Sequence, residues 1–168
     1  MKSRTVELLL MTRLPERGLV AVLQVRGAYN PTTKKPHEWP GACQLTCHAS
    51  VEDDESPRDA LWRDCRQELG ADAKSQLFAM TSPLTEIAKV DTDEREVRTY
   101  GLLVPADFLM KIPGSGTAGF RYIARDEKIF PVTTFDKTSG VANLGITAMF
   151  PNEIEAVQTA FNTFYNVF

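Results

Sequence analysis

Asp64, Gln67 and Glu68 stand at i, i+3 and i+4 within the stretch ESPRDALWRDCRQELGA, residues 55–71. Residues spaced this way are neighbours on one helical surface. Two carboxylates and an amide oxygen gathered there suit Mg²⁺ or Mn²⁺, which prefer oxygen ligands and water. A cation held in this way bridges phosphate oxygens and polarises an attacking water. A solvated helix face has the same composition, and spacing alone does not separate the two.

The element that must carry these groups is well marked. Ser56 is a good N-cap, Pro57 occupies the first helical position, and Asp59 follows three residues after the cap, close to a capping box. Leu61, Cys65 and Leu69 recur at helical spacing and predict the buried stripe, with Gly70 as the stop. The acidic face adjoins this stripe, which places it at the edge of a cleft floor and not on the outer surface.

Around this helix the chain alternates between strand and helix patterns. Thr5–Thr12 and Gly18–Arg26 read as a strand pair joined by RLPERG. GAYNPTTKKPHEWPG is a long polar loop with three prolines, and loops of this length are often functional. ACQLTCH reads as a strand, as do Leu77–Lys89, Arg95–Val104 and Ile129–Phe135. KIPGSGTAGF is a glycine-rich segment, a lid or a plain surface loop. PNEIEAVQTAFNTF is a second helix, with Asn152 as a cap and Ile154, Val157, Phe161 and Phe164 on one face. The order predicts an α+β or mixed-sheet α/β/α sandwich in one domain over residues 1–168.

Composition sets limits on partners. The 168 residues are 43% hydrophobic and 24% charged, as expected of a globular chain, and the net charge of −3 gives no general attraction to nucleic acid or anionic membrane. No apolar run approaches the ~20 residues of a membrane span, and Val6–Met11 reads as a strand and not as a signal segment. Three cysteines, Cys43, Cys47 and Cys65, suggest a reducing cytoplasmic compartment. A zinc site from Cys43, Cys47 and His48 is disfavoured. In one strand the two thiols would lie roughly 13 Å apart, too far to share an ion at ~2.3 Å from each sulfur.

The stretch 55–71 resembles the later two-thirds of the Nudix box, G-x5-E-x7-R-E-U-x-E-E-x-G-U, where U is a bulky aliphatic residue. Glu55 matches the first Glu, Arg63 falls eight residues later, and Glu68 and Gly70 also match. Upstream, EWPGACQLTCHASVE resembles the strand and loop leading into the box, so the resemblance covers residues 18–71. It departs from the pattern at Ala49, which replaces the opening Gly, at Cys65 and Ala71 in aliphatic positions, at Asp64 in place of Glu, and at Gln67 in place of a metal-binding Glu.

The resemblance implies a Nudix-like α/β/α sandwich with a mixed central sheet and the box helix at about residues 56–69. It implies Mg²⁺- or Mn²⁺-dependent cleavage of the pyrophosphate in a nucleoside diphosphate linked to another moiety. By that likeness Asp64 and Glu68 are metal carboxylates, one of them also holding the nucleophilic water, and Gln67 is an auxiliary ligand. Glu55 and Arg63 pair to brace the loop. Backbone carbonyls of His48 or Ala49 complete the metal shell, and a further acid comes from Glu94, Glu96, Asp126 or Glu127. Arg26, Lys34 and Lys35 are candidate phosphate contacts, and Glu94 and Glu127 further candidate contacts to the substrate. Trp39, Tyr29, Tyr100 and Phe120 are candidates to stack on a base. The expected partner is a small nucleotide-type substrate, with no nucleic acid or membrane, and a homodimer is compatible by analogy.

Two other readings stand beside this one. RDCRQELG with the upstream TCH also resembles isopentenyl diphosphate isomerase, built on the same fold. However, Cys47 and His48 are adjacent, and the chain has no histidines besides His37 and His48. Alternatively, Gln67 and Ala49 mark a scaffold that kept nucleotide or partner binding and lost catalysis.

Overall fold

The apolar run at Val6–Met11 forms the middle of the central strand, β1 (Ser3–Leu14), where nearly every side chain is buried. The computed structural model describes residues 2–30, 33–80, 83–112 and 118–167. β6 (Arg95–Leu103) lies parallel to β1, from Ser3 opposite Arg95 to Met11 opposite Leu103, and β5 (Thr85–Asp91) pairs antiparallel outside it. The other edge of β1 is divided. Leu10–Leu14 pair with β2 (Gly18–Val25), whereas Thr5–Leu8 pair with β4 (Cys47–Ser50), both antiparallel. β2 runs on past β1 to pair with β3 (Cys43–Gln44), and its far edge holds β7 (Phe120–Ala124).

The sheet therefore forks beyond the Leu10–Val22 pair, and Thr46 fills the fork. Its hydroxyl accepts a hydrogen bond from the Leu10 N–H at 2.9 Å and donates to the Val22 carbonyl at 2.7 Å. A side chain thus bridges two buried backbone groups at the point where the strands part.

Helices cover both faces. On one, α1 (Pro57–Leu69), α2 (Ala71–Phe78) and α3 (Ala106–Leu109) pack Leu61, Cys65, Leu69, Leu77 and Phe108 against Val6, Leu8 and Leu10. On the other, α4 (Pro151–Phe164) packs Val157, Phe161 and Phe164 against Leu9, Met11 and Leu23. A third cluster around Trp39, Val132, Val141 and Ala148 joins the long loops to a parallel pair, β8 (Ile129–Pro131) and β9 (Thr147–Met149). This is an α+β fold with a mixed sheet between helical layers, as the sequence predicts. Among the described residues no helix is long and apolar enough to cross a membrane.

The box helix begins as its sequence dictates. Ser56 accepts from the Asp59 N–H at 3.1 Å, and Pro57 opens the helix. Several other expectations need correction. Gly70, at φ 91°, ends α1, but ADAKSQLF starts a second helix at once, so Leu77 and Phe78 are helical and the strand begins only at Thr85. Ala, Lys, Gln and Leu are good helix formers, and Ala73 and Leu77 give the helix a buried face. ACQLTCH is not one strand, because it crosses the fork from the edge of β2 to the edge of β1. Cys43 and Cys47 consequently lie in different cores. Ile129–Phe135 is a strand only to Pro131 and then a 3₁₀ turn at Val132–Thr134. Asn152 does not cap α4, which has Phe150 at the cap position and no side-chain cap bond. β7 was not read from the sequence at all. Residues 113–117 of the glycine-rich segment lie outside the described residues.

Candidate active site

Asp64 and Glu68, one turn apart on α1, meet the fork from below. Asp64 is only 9% exposed, and its Oδ2 accepts from the backbone N–H of His48 at 3.2 Å. Glu68 accepts from Gln24 Nε2 at 3.0 Å. The same Gln24 amide donates to the Thr46 carbonyl at 2.5 Å, and Gln24 Oε1 accepts from Gln44 Nε2 at 3.1 Å. Both arms of the fork thus reach the two carboxylates. Gln67, the third expected ligand, is exposed.

Burial is the main influence on both acids. It pushes Asp64 above its ordinary value, against the pull of the His48 N–H and Arg63. It raises Glu68 to about 7, with the nearby Asp64 carboxylate adding to the rise and the Gln24 bond opposing it. Two adjacent carboxylates that resist ionisation together are stabilised by a divalent cation, and hydrogen bonds from behind fix their orientation.

The loop before the helix is tied down by Arg63. Its Nε and Nη2 donate to the two oxygens of Glu55, each at 3.0 Å, and Nη2 also donates to the Ser50 carbonyl at 2.7 Å. The Arg63 bond holds Glu55 below the ordinary carboxylate value. A fork-to-carboxylate pair of this kind fixes geometry as well as charge. It joins the end of β4 to α1 and positions the chain that delivers the His48 N–H to Asp64.

Among the described residues no set of three His, Cys, Asp or Glu side chains forms a metal cage. Two carboxylates with an amide nearby still fit Mg²⁺ or Mn²⁺, because such ions keep several waters and take one or two carboxylates plus substrate phosphates. The donor set does not fit zinc. Cys47 is fully buried beside Cys65, with Sγ atoms 3.3 Å apart, and burial pushes its thiol well up.

The expected distant acids are placed elsewhere. Glu96 lies opposite Arg4, three residues along β1 from Glu7, or roughly 10 Å at ~3.3 Å per residue, and it pairs with Arg98 at 2.7 Å. The backbone carbonyl of Glu94 caps the same end at Ser3. Asp126 and Glu127 follow Ala124, at the far end of β7 from Gln24, and Glu127 pairs with Arg17. Among the described residues none of the four meets Asp64 or Glu68.

The candidate substrate contacts divide. Arg26 lines a cleft beside the fork together with Gln44 and His48. Lys34 and Lys35 are exposed on the proline-rich loop. Trp39 does not line that cleft. It packs edge-on to Phe150 at 5.4 Å, and its indole N–H donates to the Phe135 carbonyl at 3.0 Å. Tyr100 and Phe120 pack against the α1-side core, while Tyr29 is exposed.

Two buried acids were missed in the sequence reading: Glu7 and Glu153, 5% and 6% exposed. A signal existed for Glu7, a lone charge inside the apolar strand TVELLLMT. Glu153 looks like an ordinary first-turn acid of a helix, and only the tertiary structure shows it to be buried.

No family model matches the chain, and no curated protein matches it. Solved structures do. A mutT/nudix family protein from Listeria innocua superposes with a TM-score of 0.62 at 18% identity, over 97% of this chain and 94% of that one. The E. coli dihydroneopterin triphosphate pyrophosphohydrolase gives 0.54 at 11% identity, over 95% of each chain. RenU, a Nudix hydrolase from M. smegmatis, gives 0.53 at 14% identity, over 97% of this chain and 86% of that one. The chain has the Nudix fold.

Proposed function

We propose that this Nudix-fold chain is a metal-dependent pyrophosphohydrolase acting on a nucleoside diphosphate linked to another moiety. The observation that carries this reading is the pair Asp64, buried, and Glu68, half-buried, side by side on α1 at the sheet fork, each held from the sheet by a hydrogen bond. Structural mimicry of the fold would not require two unfavourably placed acids at that point.

Asp64 and Glu68 would hold Mg²⁺ or Mn²⁺, with Gln67 as an auxiliary ligand. When bound, the cation supplies charge neutralisation at phosphate oxygens and acidifies water. Glu68 would also hold the attacking water and take its proton. One P–O bond forms to that water, the bridging P–O bond breaks, and the proton passes to a Glu68 oxygen. Gln24 and the His48 N–H keep the two carboxylates oriented. Arg63 and Glu55 have a positioning role.

The test is Mg²⁺-dependent release of phosphate or nucleoside monophosphate from a panel of nucleotide sugars and dinucleoside polyphosphates. Glu68→Gln is expected to lower turnover by about 10²–10⁴, the usual contribution of a positioned base. Gln67→Glu is expected to preserve or raise it. Full activity in Glu68→Gln would refute the site assignment.

A binding-only scaffold is the second reading, favoured by the uncharged and exposed Gln67. Nucleotide uptake without turnover would support it. The isomerase reading needs a reachable cysteine, and Cys47 is enclosed between α1 and the sheet.

A further inference from the structure

Cys47 and Cys65 take no part in the proposed chemistry, yet their sulfurs lie 3.3 Å apart in the α1-side core. Both thiols are fully buried, and neither is in a disulfide. They come from different elements, Cys47 from β4 and Cys65 from α1. The third cysteine, Cys43, lies in the α4-side core and does not compete for either.

The sulfur contact is one rung of a ladder between the two elements. Cys47 meets Cys65, the His48 N–H meets the Asp64 carboxylate at 3.2 Å, and the Ser50 carbonyl meets Arg63 at 2.7 Å. Three positions of β4 thus face three successive positions of α1 in reverse order. The middle rung holds a candidate metal carboxylate, and the last belongs to the brace that positions the loop. A change at the first rung therefore acts on the other two through adjoining residues.

A disulfide requires sulfurs about 2.05 Å apart, so closing this pair draws them together by roughly 1.2 Å. Val6, Leu8, Leu61 and Leu69 pack in the same cluster. Packed interiors yield little, so part of the movement passes to the backbones of α1 and β4. Asp64 and Glu68 share α1 and move together. Their hydrogen-bond partners, His48 on β4 and Gln24 on β2, belong to the sheet.

We propose that Cys47 and Cys65 form a reversible disulfide site, and that closing it draws the two carboxylates out of register with the sheet and lowers turnover. The loss of turnover rests on the proposed hydrolase reading, whereas the bond and the shift do not. The oxidant is hydrogen peroxide, small enough to enter when β4 opens from α1. That strand is short and pairs with β1 alone among the described residues. Burial slows the reaction and keeps larger reagents out. One thiol loses its proton and its sulfur attacks a peroxide oxygen. The O–O bond breaks, water leaves, and a sulfenic acid remains. The second sulfur then attacks the first, the S–O bond breaks, and a second water carries off the remaining thiol proton. Two thiols and one peroxide thus give one disulfide and two waters. Dithiothreitol reverses the bond by thiol–disulfide exchange.

The experiment treats the intact protein with hydrogen peroxide, maps the cysteine linkage by mass spectrometry, and follows the Gln24 side-chain amide by NMR. The expected result is a Cys47–Cys65 bond, a displaced Gln24 resonance, and turnover lowered by about tenfold or more, all restored by dithiothreitol. Cys47→Ala and Cys65→Ala are expected to keep their turnover under the same treatment, which separates the bond from methionine oxidation. The wild-type comparison needs no variant to fold. No bond, a bond through Cys43, or thiols oxidised singly to acids would overturn the site. A mapped bond with an unmoved Gln24 resonance, or with full turnover, would overturn its effect on the carboxylates. If the reduced protein hydrolyses no substrate, the hydrolase reading falls, while the mapped bond and the Gln24 resonance still decide the disulfide site.

Discussion

Glu68 has a pKa of about 7, so protons and a divalent cation compete for the same oxygens near neutrality. Metal binding requires the ionised carboxylate. Mn²⁺ affinity should therefore rise with pH up to about 7 and level off above it, falling by about tenfold for each unit below when one proton is displaced. Asp64, also raised, adds to the slope on the acid side. Calorimetry from about pH 5 to about pH 9 reads this directly, and a flat profile would contradict it. Arg63 makes a second residue-scale test, because its two nitrogens and the Ser50 contact require a planar fork. Arg63→Lys should lower turnover by about 10–100-fold, as loss of a supporting contact typically does. Unchanged turnover would show that the brace has no part in positioning. At this scale the sequence was informative where chemistry is local. Asp64, Glu68 and the Glu55–Arg63 pair lie within fourteen residues of one another on or beside one capped helix. Glu7 and Glu153 could not be joined by any local rule, since 146 positions separate them and only α4 docking brings them to one cleft.

Thr46 is the clearest test at the scale of the elements. Its hydroxyl bridges the Leu10 N–H and the Val22 carbonyl where the edge of β1 divides. Thr46→Val keeps the shape and removes both bonds, and should cost about 1–3 kcal/mol per buried group left unsatisfied. A denaturant midpoint unchanged from wild type would contradict this. Gly101 on β6 is a second point. A Cβ there would meet Phe164 Cε2 at 2.6 Å and Ile87 Cγ2 at 3.2 Å, so α4 packs against a bare backbone. Gly101→Ala should destabilise by about 1–3 kcal/mol through overpacking. The helices α1 and α4 and the β1–β2 hairpin were legible because their periodicity is local and strong. The fork was not, because ACQLTCH has the alternation of a single strand while its two halves pair with different neighbours. Likewise ADAKSQLF lacks a cap signal after Gly70, and a short apolar end at Leu77–Phe78 resembles a strand start.

For the whole molecule, the buried acid at the base of α4 links stability to pH. Burial, with Glu7 adding, raises Glu153 from an ordinary 4.5 to about 8. The folded chain therefore holds a proton that the unfolded chain releases. This contribution to stability is present in full below about 4.5 and is lost as pH rises to about 8. Thermal unfolding should show Tm falling across that interval in metal-free protein, and Glu153→Gln should flatten the slope. A variant with the wild-type slope would show that Glu153 ionises freely in the fold. The two acid pairs, Asp64 with Glu68 and Glu7 with Glu153, flank one sheet fork from opposite faces. The central claim is that the first pair holds a divalent cation. Manganese electron paramagnetic resonance on wild type, Asp64→Asn and Glu68→Gln at pH above about 7 tests it most directly. The expected result is a bound ion in the wild type that is lost or strongly weakened in both variants. Equal uptake by all three proteins, or none by the wild type with nucleotide present, would contradict it.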